Sequence, residues 1–136
     1  VKLIELYESA FGAALARIDR DASDAPARVS RYFGLYAQVL ADERMCLCGM
    51  LAAEFVTLPK PMQSALDSFF GLNERWLVGL LEQGRARGEL RFNGAARESA
   101  QFIIASLEGA MMMARSHGGL PRFDAATRHL LAEFVY

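Results

Sequence analysis

Apolar positions recur along this chain at three- and four-residue spacing in almost every segment, a period that gathers side chains on one face of a helix. Leu3, Tyr7, Ala10, Phe11, Ala14, Leu15 and Ile18 mark a first helix, stopped by the polar turn Asp19 to Pro26. A second runs from about Ala27 to Ala41 with Val29, Tyr32, Phe33, Tyr36, Val39 and Leu40 inward, and Asp24 or Ala25 ahead of Pro26 suits a helix start. The mostly apolar stretch from Met45 to Leu58 predicts a third helix ending near Thr57, because Pro59 cannot donate a backbone bond and disfavours a helical residue before it. A long helix follows from about Pro61. Met62, Leu66, Phe69, Phe70, Asn73, Trp76, Leu77, Leu80, Leu81 and Gly84 keep its period, and Arg85, Arg87 and Gly88 supply a charged last turn and a stop.

The segment Ala95 to His117 organises the rest. Arg97, Gln101, Glu108 and Arg115 fall on one narrow polar stripe, and nearly every other position is apolar or small. A helix with so little polar surface must be covered on two sides. Ala105, Ser106, Gly109 and Ala110 are small enough to admit a partner backbone, whereas Phe102, Ile103, Ile104, Leu107 and Met111 to Met113 supply bulk. The helix therefore reads as shared between a core and a subunit interface. Asn93 is placed to cap it, Gly118, Gly119 and Pro121 to end it, and Asp124 to cap a last helix from Ala125 to about Val135. No apolar and polar residues alternate as in a half-buried strand, and no internal repeat occurs. The expected fold class is all-α, a bundle of about six helices, in a single domain spanning residues 1–136.

Composition narrows the function. With 136 residues, 53% of them hydrophobic, the chain can bury one real core. A net charge of -1 gives no electrostatic footprint for phosphates, so binding to nucleic acid by this segment alone is not expected. No apolar run is long enough to cross a bilayer, and VKLIELYES lacks the features of a signal peptide, which predicts a cytoplasmic protein with no membrane partner. Val1 opens directly into a helical pattern without a capping residue, which implies a preceding domain.

Chemistry-bearing residues are few. Cys46 and Cys48, two apart on a helix, point in nearly opposite directions, so they neither share a metal nor form a good disulfide. Either they pack as small buried thiols, or one senses oxidants or electrophiles after Arg44 lowers its pKa. His117 lies at a helix end and His129 on a surface-like turn; neither stands beside a nucleophile, and no acid pair forms a catalytic motif. No enzyme, metal or cofactor is expected. Glu54 and Asn73 each interrupt an apolar helical face and need a partner, either another side chain or a ligand. With Tyr36, Phe69, Phe70, Trp76 and the Met111, Met112, Met113 run they describe a cavity of aromatic and thioether groups with polar anchors, a composition that suits a small-molecule pocket or a plain core.

RYFGLYAQVLADERMCLCGMLAAEFVTLP, then LLEQGRARGELR, then ESAQFIIASLEGAMMMARSHGG, together resemble the C-terminal regulatory domain of TetR-family transcriptional repressors. The resemblance covers nearly the whole chain. It implies a homodimer formed by the organising helix and the last helix, with Ala105, Gly109, Met113, Leu130 and Phe134 at the interface. It implies that operator DNA is gripped by an N-terminal helix-turn-helix domain absent from this chain. A small-molecule effector would bind among the intervening helices, where position and chemistry suggest Tyr36, Met50, Glu54, Phe69, Asn73, Trp76 and Met112. In some members of this group a cysteine senses electrophiles, and Cys46 or Cys48 would be the place to look. Two rival readings stand beside this one. A helical interaction or scaffold domain would have a solid core and an unpartnered apolar patch; a small helical enzyme would join Glu54 or a cysteine to His117 or His129 in a cleft.

Overall fold

The computed structural model describes residues 1–136. Six α-helices build it: α1 (Lys2–Asp21), α2 (Ala25–Ala41), α3 (Leu47–Ala52), α4 (Lys60–Ala86), α5 (Ala96–Ser116) and α6 (Gly119–Ala132), with a 3-10 turn at Phe55–Thr57 between α3 and α4. There is no strand, and the all-α expectation holds. Helix α5 packs chiefly on α4 and α6, α6 also lies on α2, and α1 lies along α4.

Local chemistry explains most boundaries. Asp24 caps α2 by accepting from the Ala27 N–H at 2.9 Å, and Pro26 in α2 and Pro61 in α4 occupy first-turn positions that have no intrahelical donor to lose. Helix α4 ends in a left-handed glycine, Gly88, at φ 72°, which lets the Glu89 N–H reach back to the Gly84 carbonyl at 2.8 Å. Gly84 is itself a close-approach site, since a Cβ there would press on Leu90 and Ala25.

Three boundaries differ from expectation. The predicted third helix is only six residues long. Beyond it the Thr57 hydroxyl bonds the Glu54 carbonyl at 2.8 Å, and the Gln63 amide donates to the Phe55 and Leu58 carbonyls at 2.9 and 3.1 Å, giving the backbone partners other than a helical ladder. Asn93 does not cap α5, whose N-cap is Ala95 with no side-chain bond. Asp124 lies inside α6, which begins at Gly119; Gly118 turns the chain at φ 95°, and Pro121 sits in the first turn, where its missing N–H costs nothing.

The two faces of α5 depart from the sequence pattern in opposite ways. Ala100, Ile103, Ile104, Leu107, Met111 and Ala114 are buried. On the outer side Phe102, Met112 and Met113 remain 54%, 53% and 48% exposed, interspersed with exposed Ala105 and Gly109. The stripe read as polar is not a solvent face throughout: Arg97 and Gln101 both reach Glu74 on α4, at 3.1 and 3.2 Å, while Glu108 turns inward.

Candidate functional site

An aromatic cluster fills the space between α1, α2 and α4. Tyr7 and Phe11 from α1 meet Phe69 from α4 at ring separations of 5.3 and 5.4 Å, and Phe11 stands edge-on to Tyr36 of α2 at 6.0 Å. Below them runs a buried hydrogen-bond relay. The Tyr32 hydroxyl donates to Asn73 Oδ1 at 2.8 Å, and Asn73 Nδ2 donates to the Phe69 carbonyl at 2.9 Å. Tyr32 has a single proton and spends it on Asn73, so in the 3.4 Å contact between the two phenols the Tyr32 oxygen can only accept. Asn73, fully buried, thus finds its partners inside the protein and sets the direction of the relay.

Glu108 enters this cluster from α5. Its Oε2 is buried without a hydrogen-bond partner. Burial raises its pKa, and the nearby Cys46 thiol and Tyr36 phenol pull it back only in part. The carboxylate rests against Gly49, where a Cβ would collide with it, so a glycine is required for this approach. Cys46 caps α3 by accepting from the Gly49 N–H at 3.4 Å, and its own N–H donates to the Met111 sulfur at 3.4 Å. Burial, then the Glu108 charge, pushes the Cys46 thiol up to about 12, and the same causes, with Glu8 added, push Cys48 to about 12. Both are thiols at neutral pH, which is the unreactive form. The expected activating cation is engaged elsewhere: Arg44 pairs with Asp42 at 3.0 Å on the surface.

Of the residues predicted for a pocket, the structure brings Tyr36, Phe69 and Asn73 together. Trp76 stacks on Tyr32 at 5.3 Å but at the outer end of the cluster, its indole N–H directed to the Asp19 carboxylate at 3.1 and 3.2 Å. Met50, Glu54 and Met112 are exposed and lie outside it. Glu54 falls in the turn after the shortened α3, so it interrupts no buried face; Met112 is one residue, about 100° of helix, from the buried Met111. Glu108, Tyr7 and Cys46 complete the inner site; sequence reasoning missed Tyr7 and, above all, Glu108. The signal lay in its spacing, four after Ile104 and three before Met111, both core positions.

Among the interface candidates, Ala105, Gly109 and Met113 are on the exposed face. Leu130 and Phe134 are 8% and 3% exposed and belong to this chain's own core. Phe134 packs on Phe92 at 6.2 Å and accepts from the Arg91 N–H at 2.7 Å through its carbonyl, a tie that folds the C-terminus inward. Leu130 still floors a shallow depression of about 280 Å³ with Phe102, Ser106, Ala126, His129 and Glu133 on that outer face. A larger groove, about 600 Å³, runs over Asp67, Phe70, Glu74, Arg75 and Arg97; its walls are mostly polar, unlike the concave apolar lining of a small-molecule site. No group of three or more His, Cys, Asp or Glu is placed to hold a metal, and no helix is long and apolar enough to cross a membrane.

Residues 25–130 match the family model of the tetracyclin repressor-like C-terminal domain. The chain belongs to this family. Solved TetR-family proteins share the fold over nearly its full length. A transcriptional regulator of the TetR family from Agrobacterium tumefaciens is 32% identical with a TM-score of 0.95, the match covering 99% of this chain and 72% of that one. The regulatory protein TetR from Rhodobacter sphaeroides is 28% identical with a TM-score of 0.87, covering 98% and 73%. A TetR transcriptional regulator from Legionella pneumophila is 27% identical with a TM-score of 0.84, covering 97% and 69%. Comparison with curated proteins returned no match. A TetR C-terminal domain has a regulatory role.

Proposed function

We propose that this chain is the effector-sensing and dimerisation domain of a TetR-like transcriptional regulator, and that its effector is a small, mostly apolar molecule. The observation that carries this reading is the division of α5 into an exposed apolar stripe, Phe102, Ala105, Gly109, Met112 and Met113, and an inner face that ends on a polar cluster rather than a sealed hydrocarbon core. The stripe suits a second copy of α5 and α6, with Ala105 and Gly109 allowing close backbone approach and the larger side chains filling the flanks. The inner cluster is bounded by α1, the helix that would lead to a helix-turn-helix domain outside this chain. An effector bound among Tyr36, Phe69 and their neighbours would favour one position of α1 over another and so shift the population of DNA-competent dimers. A ligand that bound both arrangements equally would change nothing.

Native mass spectrometry of the purified domain, with gentle release of any co-purified molecule, tests both halves. The expected result is a dimer, with bound small molecule released from it. A compact monomer would sink the dimerisation reading and leave the apolar stripe to a different partner, as the scaffold alternative requires.

A further inference from the structure

The outer stripe of α5 is symmetric in position and opposite in size about Gly109, which has nothing within 4 Å of the place a Cβ would take. Four residues to either side stand Ala105 and Met113, three to either side Ser106 and Met112, and seven to either side Phe102 and Ser116, so each bulky side chain is matched by a small one. Ser106 is half-buried and the others are exposed. At about 100° per residue all of them lie within about 60° of Gly109, on one continuous face. Two copies of such a face fit in one direction. When they cross antiparallel at Gly109, a two-fold axis sets each residue level with the one equally far beyond Gly109 in the other copy. Met113 of one copy then stands level with Ala105 of the partner subunit and enters the depression that Phe102, Ser106 and Leu130 border there. A parallel crossing would set Met113 on Met113 and leave both depressions empty.

Helix α6 carries a second pattern, independent of the first. Ala126, His129 and Glu133 flank the same depression, and Arg122 continues their exposed row one turn earlier. The order is cation, small residue, ring, anion, and an antiparallel copy turns it into Arg122 against Glu133 and Ala126 against His129. A parallel copy would bring like charges together, which costs association. The chain's own ion pairs join Arg44 to Asp42 and Arg97 to Glu74, so Arg122 and Glu133 have none inside the protein. The two patterns also share an axis. Helix α5 ends at Ser116 and α6 begins at Gly119, so Gly109 and Ala126, each seven residues from the turn, stand level, and Ala126 is within two residues of the middle of the α6 row. Resting on the dimer reading above, we propose that two copies pair antiparallel across a two-fold axis at Gly109. Met113 of each fills the depression beside Ser106 of the other, and Arg122 of each pairs with Glu133 of the other.

Disulfide trapping reads this register, because a disulfide needs Cα atoms within about 7 Å of each other. The double variant Ala105→Cys with Met113→Cys is expected to run as a covalent dimer on a non-reducing gel after mild oxidation. Ala105→Cys alone is expected to stay monomeric there, since its two copies would stand about 12 Å apart along the helices. The wild type, whose Cys46 and Cys48 are buried, is the blank. A second measurement needs no new cysteine. Arg122→Glu and Glu133→Arg are each expected to weaken the dimer about fivefold in sedimentation, and the two together to restore it to within about twofold of wild type. Folding of each variant is read by circular dichroism. A covalent dimer from Ala105→Cys alone, none from the double variant, or a charge exchange that fails to restore association would each overturn the register, while a dimeric wild-type mass would leave the dimerisation reading standing. A monomeric wild type would overturn both.

Discussion

The two faces of α5 break the rule of apolar inside and polar outside in opposite directions. The outer face leaves a phenylalanine and two methionines half exposed, and the inner face buries one oxygen of a carboxylate, Glu108 Oε2, without a hydrogen-bond partner. Each departure costs free energy in the isolated chain: apolar surface is left to water on the outer face, and one carboxylate oxygen lacks a hydrogen-bond partner on the inner one. The difference between them is one of specificity. An apolar stripe accepts any complementary surface, so its selectivity comes from shape, whereas a buried acceptor rejects every occupant that cannot donate to it.

The largest effect is expected on the outer face. Gly109→Arg introduces a long charged side chain where helices would meet most closely, and should convert the proposed dimer to monomer or aggregate, read as solution mass by light scattering; a mass that stays dimeric would move the interface elsewhere. On the inner face, Asn73→Leu strips the acceptor from Tyr32 and leaves buried phenols unpaired, and a loss of about 2 to 4 kcal/mol in chemical denaturation is expected. An unchanged midpoint would mean that the relay contributes no structural energy.

Glu108→Gln should act in the other direction. The folded pKa of Glu108 is raised, so the native state holds its proton at pH values where the unfolded chain has released it, and the penalty grows as pH rises from the unfolded value through the folded one. The variant is therefore expected to gain about 1 to 3 kcal/mol above that window and nothing below it, where both forms are neutral. Thermal melts across pH decide the matter, and a gain that is greatest in acid would reverse the assignment of cause. Smaller again is the effect on thiol chemistry. Alkylation of Cys46 by iodoacetamide should be slow at neutral pH, because burial and the Glu108 charge hold the thiol near a pKa of about 12, and should quicken in Glu108→Gln as one of those two causes is removed. Equal rates in both proteins would leave burial as the sole control. Glu54→Ala, at an exposed turn, should change stability by less than about 0.5 kcal/mol.

Most of the bundle was legible in the sequence because long amphipathic helices announce themselves by period, as α4 and α5 do. What was not legible follows from competition between local bonds. The Met45 to Leu58 stretch has a helical composition, but Thr57 and Gln63 offer its backbone other partners, and these win over the last turns. The first turn of α6 was hidden by Gly118, Gly119 and Pro121, residues that signal an ending and here accomplish an ending and a beginning within a few positions. At the site, Tyr36, Phe69 and Asn73 were found because aromatic bulk and a lone amide stand out in an apolar run. Glu108 was not, because the angular position it shares with Arg97, Gln101 and Arg115 says nothing of what lies across from each. One side of the same stripe meets Glu74 of α4, and another turn of it meets the thiols of α3. Met112 and Phe134 were misplaced for the same reason: an apolar residue at helical spacing does not reveal which neighbour covers it.

Helix α1 is fastened to α4 at two side-chain points, Glu8 to Ser68 at 2.7 Å and Asp19 to Trp76 at 3.1 Å. The first is a single exposed hydroxyl bond. The second is a two-oxygen grip on an indole that is itself stacked on Tyr32, so it is the firmer of the two and would be the fulcrum of any swing of α1. At 1.5 Å of rise per residue, Tyr7 lies roughly 18 Å from Asp19 along the helix and Lys2 roughly 25 Å. Any occupant that levers Tyr7 aside by about 1 Å therefore carries the start of the chain through about 1.4 Å, and a rigid rod of helix turns a modest rearrangement beside a buried carboxylate into a larger one at the far end.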